Sequence, residues 1–435
     1  MTTMKRRFVL GALAVVVAMT GVMGAPGGRL ATVAAANPNV VIDWNLTLLA
    51  TLATANVPPP ASMRLGAIVQ AAVFDAVNGI EPHYTPIHIA PAAPDGASRP
   101  AAAVGAAYTA LVSLFPSQKT RLDADLAASL EELGGRDDGP SSPISLGLSW
   151  GDAVAAQMVA WRSTDGFSSA PPPYVFGTSP GDWQPTPGGS GPPKFQTLAT
   201  TTPFALTSPS QFRPAGPPAM TSAEYTRDFN EVKAFGSATS AVRSDYQTQT
   251  AKFWQLDTPT DMWDRVADTL AQEHHLNLLK TARLLAFVNV AEADASFAVW
   301  DAKTTFNFWR PVTAIAQAAL DGNPDTTPDA GWLPLLVTPY FQEYPSAHSG
   351  VSSAAVTVLE SFFGNSVDFT VTSNGLSGVE RSFTSFSDAI AQVADARVFA
   401  GFHFRFSCND AAQMGAQVAN YAESVVMQPI DDEEE

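Results

Sequence analysis

Cysteine is nearly missing: the 435-residue chain has one, Cys408. A single thiol excludes an internal disulfide and a zinc centre built on several cysteines. Cys408 is expected to serve as a small apolar side chain. Basic residues are also scarce, 24 against 41 acidic ones, for a formal net charge of -17. Such a chain repels nucleic acid and anionic lipid, so no nucleic-acid partner is expected. It also makes any gathering of Lys and Arg informative. Beyond the N-terminus no apolar run approaches the roughly 20 residues needed to cross a bilayer. Period-two alternation is missing too; only Val367 to Val371 reads as a strand.

What is present is 46% hydrophobic residues, enough for a large core. Lys5, Arg6 and Arg7 precede an apolar run from Phe8 to about Val22, followed by small residues. This is the pattern of an export signal, taken as residues 1–36, with cleavage after Ala36 or earlier near Gly24 or Ala25. Arg6-Arg7 followed by Phe8-Val9-Leu10 resembles a twin-arginine signal. The mature chain is expected in a secreted or periplasmic compartment with no membrane span. The acidic tail, Asp431 to Glu435, reads as a solvated end.

Helical spacing recurs from Trp44 to Thr54, Ser62 to Ile80, Ala101 to Phe115, Ser117 to Leu133 and Ser145 to Thr164. Pro58-Pro59-Pro60 is expected to break the first region from the second. A stretch from Ala170 to Pro218, rich in Pro, Gly, Ser and Thr, reads as an excursion that covers a site. Helices return at Ser222 to Gly236, Ser244 to Trp254, Trp263 to His275 and Leu276 to Phe306. A second irregular segment, Gly322 to Pro345, precedes helices at Ser346 to Phe363, Phe383 to Phe404 and Asp410 to Val426. The fold class is therefore all-α, a helical bundle with long Pro/Gly-rich loops. Residues 37–220 form an N-terminal helical region and residues 221–430 a C-terminal bundle.

Three segments carry chemistry. Lys303 and Arg310-Pro311 are seven apart, two helical turns, so both are expected to point the same way. Pro345-Ser346-Ala347-His348 opens an apolar helix, where an N-cap serine, free N–H groups and the helix dipole favour an anion. Arg397 and His403 are six apart, less compatible with one helix, and Gly401 relaxes the geometry. Singly, each piece is ordinary: a solvated face, a cap, a core histidine. His274 and His275 are read as structural, and His83 and His88 as loop residues without a motif.

In order, the three segments resemble the signature of the vanadium haloperoxidase and type 2 phosphatidic acid phosphatase superfamily. That signature is Lys, six residues, Arg-Pro; then Pro-Ser-Gly-His; then Ser-Arg, five residues, His, three residues, Asp. The resemblance covers nearly the whole mature chain. It implies that Lys303, Arg310, Arg397, Ser346 and the Ala347 N–H bind an oxyanion. His403 is implied as the apical ligand of vanadium and His348 as the acid-base catalyst. Trp300 and Phe341 match pocket-lining aromatics of chloroperoxidase-like members.

Vanadate is the implied cofactor, with phosphate competing. The implied reaction is oxidation of halide by hydrogen peroxide. Hydrolysis of a phosphate ester through a phosphohistidine at His403 is the alternative, and a non-catalytic exported oxyanion-binding protein is a second one. Three positions depart from the signature. Ala347 replaces Gly, Ala396 replaces Ser, and Ser407 replaces the Asp that orients the histidine. The last departure predicts a weaker base at His403, with Asp410 as a substitute, and tighter vanadate binding on restoring the acid by Ser407→Asp.

Overall fold

Proline here opens helices more than it ends them. The computed structural model describes residues 39–90, 92–134 and 139–430. The proposed signal and the acidic tail lie outside these residues. Among the described residues the chain forms thirteen α-helices. They are α1 (Val40–Thr54), α2 (Pro59–Ile80), α3 (Arg99–Leu114), α4 (Lys119–Glu132), α5 (Pro143–Arg162), α6 (Ala223–Phe235) and α7 (Asp245–Gln255). Then follow α8 (Pro259–Glu273), α9 (Leu278–Phe306), α10 (Pro311–Ala316), α11 (Ala347–Phe363), α12 (Phe386–Phe399) and α13 (Arg405–Val425). Prolines occupy the first turn of α2, α3, α5, α8 and α10, where the missing N–H costs nothing. The triple proline thus starts α2 as well as separating it from α1.

Helix α9 organises the rest. It has 29 residues and is buried on nearly every side, so it is apolar around most of its circumference. It packs against α2, α8, α11 and α13. Asn277 caps its start by accepting from the Lys280 N–H. Asn307 ends it in a left-handed conformation, φ 47°, which asparagine tolerates better than most residues.

Two strands, β1 (Phe369–Thr372) and β2 (Glu380–Phe383), form an antiparallel pair in which Phe369 faces Phe383. The sequence predicts only the first strand and starts a helix at Phe383. The structure ends a strand there, and α12 begins after the cap Ser385. Four residues are too few for their alternation to stand out from a helical pattern. Helix α8 likewise stops at Glu273, so His274 and His275 lie in the following turn, not on a helix.

The excursion from Ala170 to Pro218 lies along α9. Asp294, fully buried, accepts from the N–H groups of Phe204, Ala205 and Leu206 at 2.7–2.9 Å. Arg213 forms a two-pronged pair with Asp301 at 2.6 and 2.8 Å. The Tyr174 hydroxyl donates to Asn307 Oδ1 at 2.6 Å. A second, largely aromatic core gathers Phe308, Trp309, Tyr344, Phe404 and Phe406. The segments that carry Arg310, Ser346 and His403, described next, are anchored in it.

Candidate oxyanion site

Lys303 sits in the last turn of α9 and Arg310 just before α10. They do not share a helix, because Asn307 turns the chain between them. The seven-residue spacing is therefore not two turns of one helix, as the sequence suggested, yet the side chains still converge. Lys303 Nζ donates to the carbonyls of Gln342 and Glu343, both at 2.8 Å. Arg310 Nε donates to the Phe341 carbonyl at 2.8 Å. Both cations lie against the Phe341 ring, Nζ at 5.3 Å and the guanidinium carbon at 5.0 Å from its centroid. Trp300 and Phe195 complete an aromatic wall, with centroids 5.2 and 6.4 Å from that of Phe341. Phe195 comes from the excursion, so that segment does lie over the site.

Ser346 is the N-cap of α11 and accepts from the Ser349 hydroxyl at 3.1 Å. Ala347 and His348 follow in the first turn, where backbone donors have no partner inside the helix. Arg397 lies in the last turn of α12, buried, with Nη1 donating to Gln255 Oε1 at 2.7 Å. Gly401, at φ 80°, then reverses the chain, as its place in the motif suggested. His403 therefore returns beside Arg310, with Nε2 3.1 Å from Arg310 Nη1.

That contact assigns the tautomer. A guanidinium can only donate, so His403 Nε2 is an acceptor and Nδ1 carries the proton. Nδ1 donates to Glu343 Oε1 at 2.8 Å. Glu343 is the residue sequence reasoning missed. It is the sole acid between Asp329 and Glu360, set among Phe341, Gln342 and Tyr344 just before the serine cap. A lone charge in such a run was the available signal. Ser407 Oγ lies 3.4 Å from Nδ1, a distant second contact. Asp410 is engaged elsewhere, accepting from the Tyr344 hydroxyl at 2.5 Å. The expected lack of a carboxylate at His403 is thus corrected.

Burial first, and then the neighbouring cations, pull the pKa values of His403, His348 and Lys303 well below their usual values. His403 is held neutral for that reason, with a lone pair on Nε2. Burial also lowers Arg310 to about 9 and Arg397 to about 10, which leaves both charged at neutral pH. Glu343 is pushed up to about 7 by burial, opposed by Arg310 and Lys303. Among the described residues, Arg310 Nη2, Arg397 Nε and Glu343 Oε2 are buried without a hydrogen-bond partner. Two buried guanidiniums and the Lys303 amine against one carboxylate, with donors left over, fit a tetrahedral oxyanion such as vanadate or phosphate. Among the described residues no group of three or more His, Cys, Asp or Glu side chains is placed to hold a metal cation. Cys408 is buried and its thiol is pushed up to about 11 by that burial, so it is inert packing.

A family model described as the VCPO second helical-bundle domain matches residues 283–432. Vanadium chloroperoxidase of Curvularia inaequalis is 31% identical over a match covering 35% of this chain and 30% of that protein. The matched part is thus less than a third of that relative's length. The crystal structure of the first bacterial vanadium-dependent iodoperoxidase superposes with a TM-score of 0.76 at 26% identity, covering 91% of this chain and 98% of that one. A holo-type bacterial vanadium-dependent chloroperoxidase shares the fold, with a TM-score of 0.66 at 19% identity over 84% of this chain and 91% of that one. Residues 283–432 thus resemble the helical-bundle domain of vanadium chloroperoxidase, and the chain shares the fold of the bacterial vanadium haloperoxidases.

Proposed function

We propose that this protein is a vanadium-dependent haloperoxidase that oxidises halide with hydrogen peroxide. The observation that carries the reading is the buried excess of positive charge beside a neutral histidine whose Nε2 lone pair faces it. Vanadate, when bound, supplies the centre that activates hydrogen peroxide toward halide. Lys303, Arg310 and Arg397 would hold its oxygens by charge-assisted hydrogen bonds, and Ser346 and the Ala347 N–H would add neutral donors. His403 Nε2 would be the ligand to the central atom. His348, held neutral in the first turn of α11, accepts and returns a proton at its imidazole. The aromatic wall of Phe195, Trp300 and Phe341 keeps water from the cations, which strengthens every contact they make.

The test is halide oxidation by the purified protein with and without added orthovanadate. Turnover of iodide, bromide or chloride that needs vanadate is expected. Hydrolysis of an aryl phosphate without any vanadate-dependent peroxidase activity would move the site to the phosphatase reading. Within the account, His403→Ala abolishes vanadate binding, whereas His348→Ala retains binding and loses turnover. Equal loss of binding in both would show the two histidines misassigned.

A further inference from the structure

Glu343 is bound to the cradle at two points. Its backbone carbonyl accepts from Lys303 Nζ, while its side chain accepts from His403. The same carboxylate oxygen, Oε1, also accepts the Phe404 N–H at 3.1 Å. Both donors thus come from adjacent residues of one loop, so Oε1 is located relative to the imidazole by that loop's own backbone. The side chain is fully buried. An acid so placed is costly unless paired.

We infer that Glu343 is the positioning residue of His403. It holds the proton on Nδ1 and strengthens Nε2 as the donor to vanadium. This rests on the vanadate reading above. A carboxylate accepting from the far nitrogen of a ligating histidine fixes the ring and raises its donor strength. The alternative is that Glu343 only offsets the charge of Lys303 and Arg310. The two differ in which anion they affect. Inorganic phosphate in the cradle is held by charge alone, whereas vanadate also takes the nitrogen. Removing a negative charge should not weaken the first, but weaker nitrogen donation should weaken the second.

The experiment compares Glu343→Gln with the unaltered protein, titrating each with orthovanadate and, separately, with inorganic phosphate. Two donors converge on Oε1, so the glutamine oxygen should stay against His403 and preserve the hydrogen bond while removing the charge. Vanadate affinity is expected to fall by about tenfold to a hundredfold, the usual cost of losing such a partner. Phosphate affinity is expected to hold or rise, and Glu343→Asp to recover part of the vanadate loss. Equal changes for both anions, or no change for vanadate, overturn the role. Nitrogen NMR of the unaltered protein supplies a readout that needs no variant. A proton on His403 Nδ1 is expected, and a proton on Nε2 contradicts the assignment. If the unaltered protein binds phosphate but not vanadate, while its NMR shows Nδ1 protonated, the haloperoxidase reading fails and the claim about vanadium falls with it. The tautomer assignment then stands.

Discussion

Helix α9 passes through two buried charged clusters of opposite sign, and they resolve their charge differently. Near its C-terminal end Lys303 joins Arg310 and Arg397. Roughly 16 Å back along the helix axis, at 1.5 Å per residue, Glu292 lies with Asp264, Asp268 and Asn289 between α8, α9, α1 and α2. Asn289 donates to Asp264 at 2.8 Å, Thr260 to Glu292 at 2.9 Å and Asn45 to Asp268 at 2.9 Å. Each of those acids keeps one buried oxygen without a partner. Burial, followed by mutual repulsion, raises Asp264 well above its usual value. Burial likewise pushes Glu292 and Asp268 up to about 8. The acids therefore neutralise themselves with protons. The guanidiniums cannot lose theirs at neutral pH, so their charge calls for an anion from outside. The acid cluster thus reads as structure, and the cationic one as the proposed site.

The largest effect that separates the two comes from Arg397→Met, which removes a cation and keeps the volume. Anion affinity should drop by about a thousandfold, or about 4 kcal/mol, as for loss of a buried charge partner. The melting temperature without ligand should hold or rise, because one of the two repelling guanidiniums has gone. Affinity loss accompanied by a matching loss of ligand-free stability would mean that Arg397 is a structural residue.

Glu292→Gln probes the other cluster. The folded chain keeps a proton on Glu292 up to about pH 8, whereas the unfolded chain releases it near 4.5. The folded state therefore binds more protons in this window. Stability is full below the unfolded value and is lost as pH rises through the folded one. Glutamine should flatten that fall by on the order of 3 kcal/mol between about pH 5 and about pH 8, with anion affinity unchanged. An unaltered pH profile of thermal unfolding would remove Glu292 from the account.

Saturation is a smaller lever. Vanadate at a hundred times its dissociation constant should add about 2.7 kcal/mol to stability, seen as a raised unfolding midpoint. The Arg397→Met variant should show none of this at the same concentration, and the Glu292→Gln variant all of it.

Ser407→Asp gives the smallest change, and of opposite sign to the sequence expectation. Position 407 is fully buried, and Glu343 already occupies His403 Nδ1. A second carboxylate would share one N–H with the first, a like-charge arrangement that costs energy. Vanadate affinity should stay the same or weaken by up to about tenfold. Tighter binding would show that Glu343 does not serve His403.

The two clusters were unequally legible in the sequence. Lys303, Arg310, Ser346, Arg397 and His403 stand in an ordered pattern, and most helices follow from apolar spacing and Ser, Thr or Asn caps. How the site closes depends on turns. Asn307 and Gly401 reverse the chain, while Trp309, Tyr344 and Phe404 anchor Arg310, Glu343 and His403 in the aromatic core. Glu343 acquires its meaning only when a residue sixty positions away folds against it. Asp264 and Glu292 look like surface charges on helical segments until α1 and α2 cover them. Periodicity reports which face is apolar, not which polar residues that face encloses.

The most direct test of the central claim is a calorimetric titration of orthovanadate into the purified protein, repeated with inorganic phosphate present. The cationic cluster predicts one site per chain, competition by phosphate, and loss of the binding heat in Arg397→Met. No vanadate binding at millimolar concentration, or binding that phosphate leaves untouched, would contradict it.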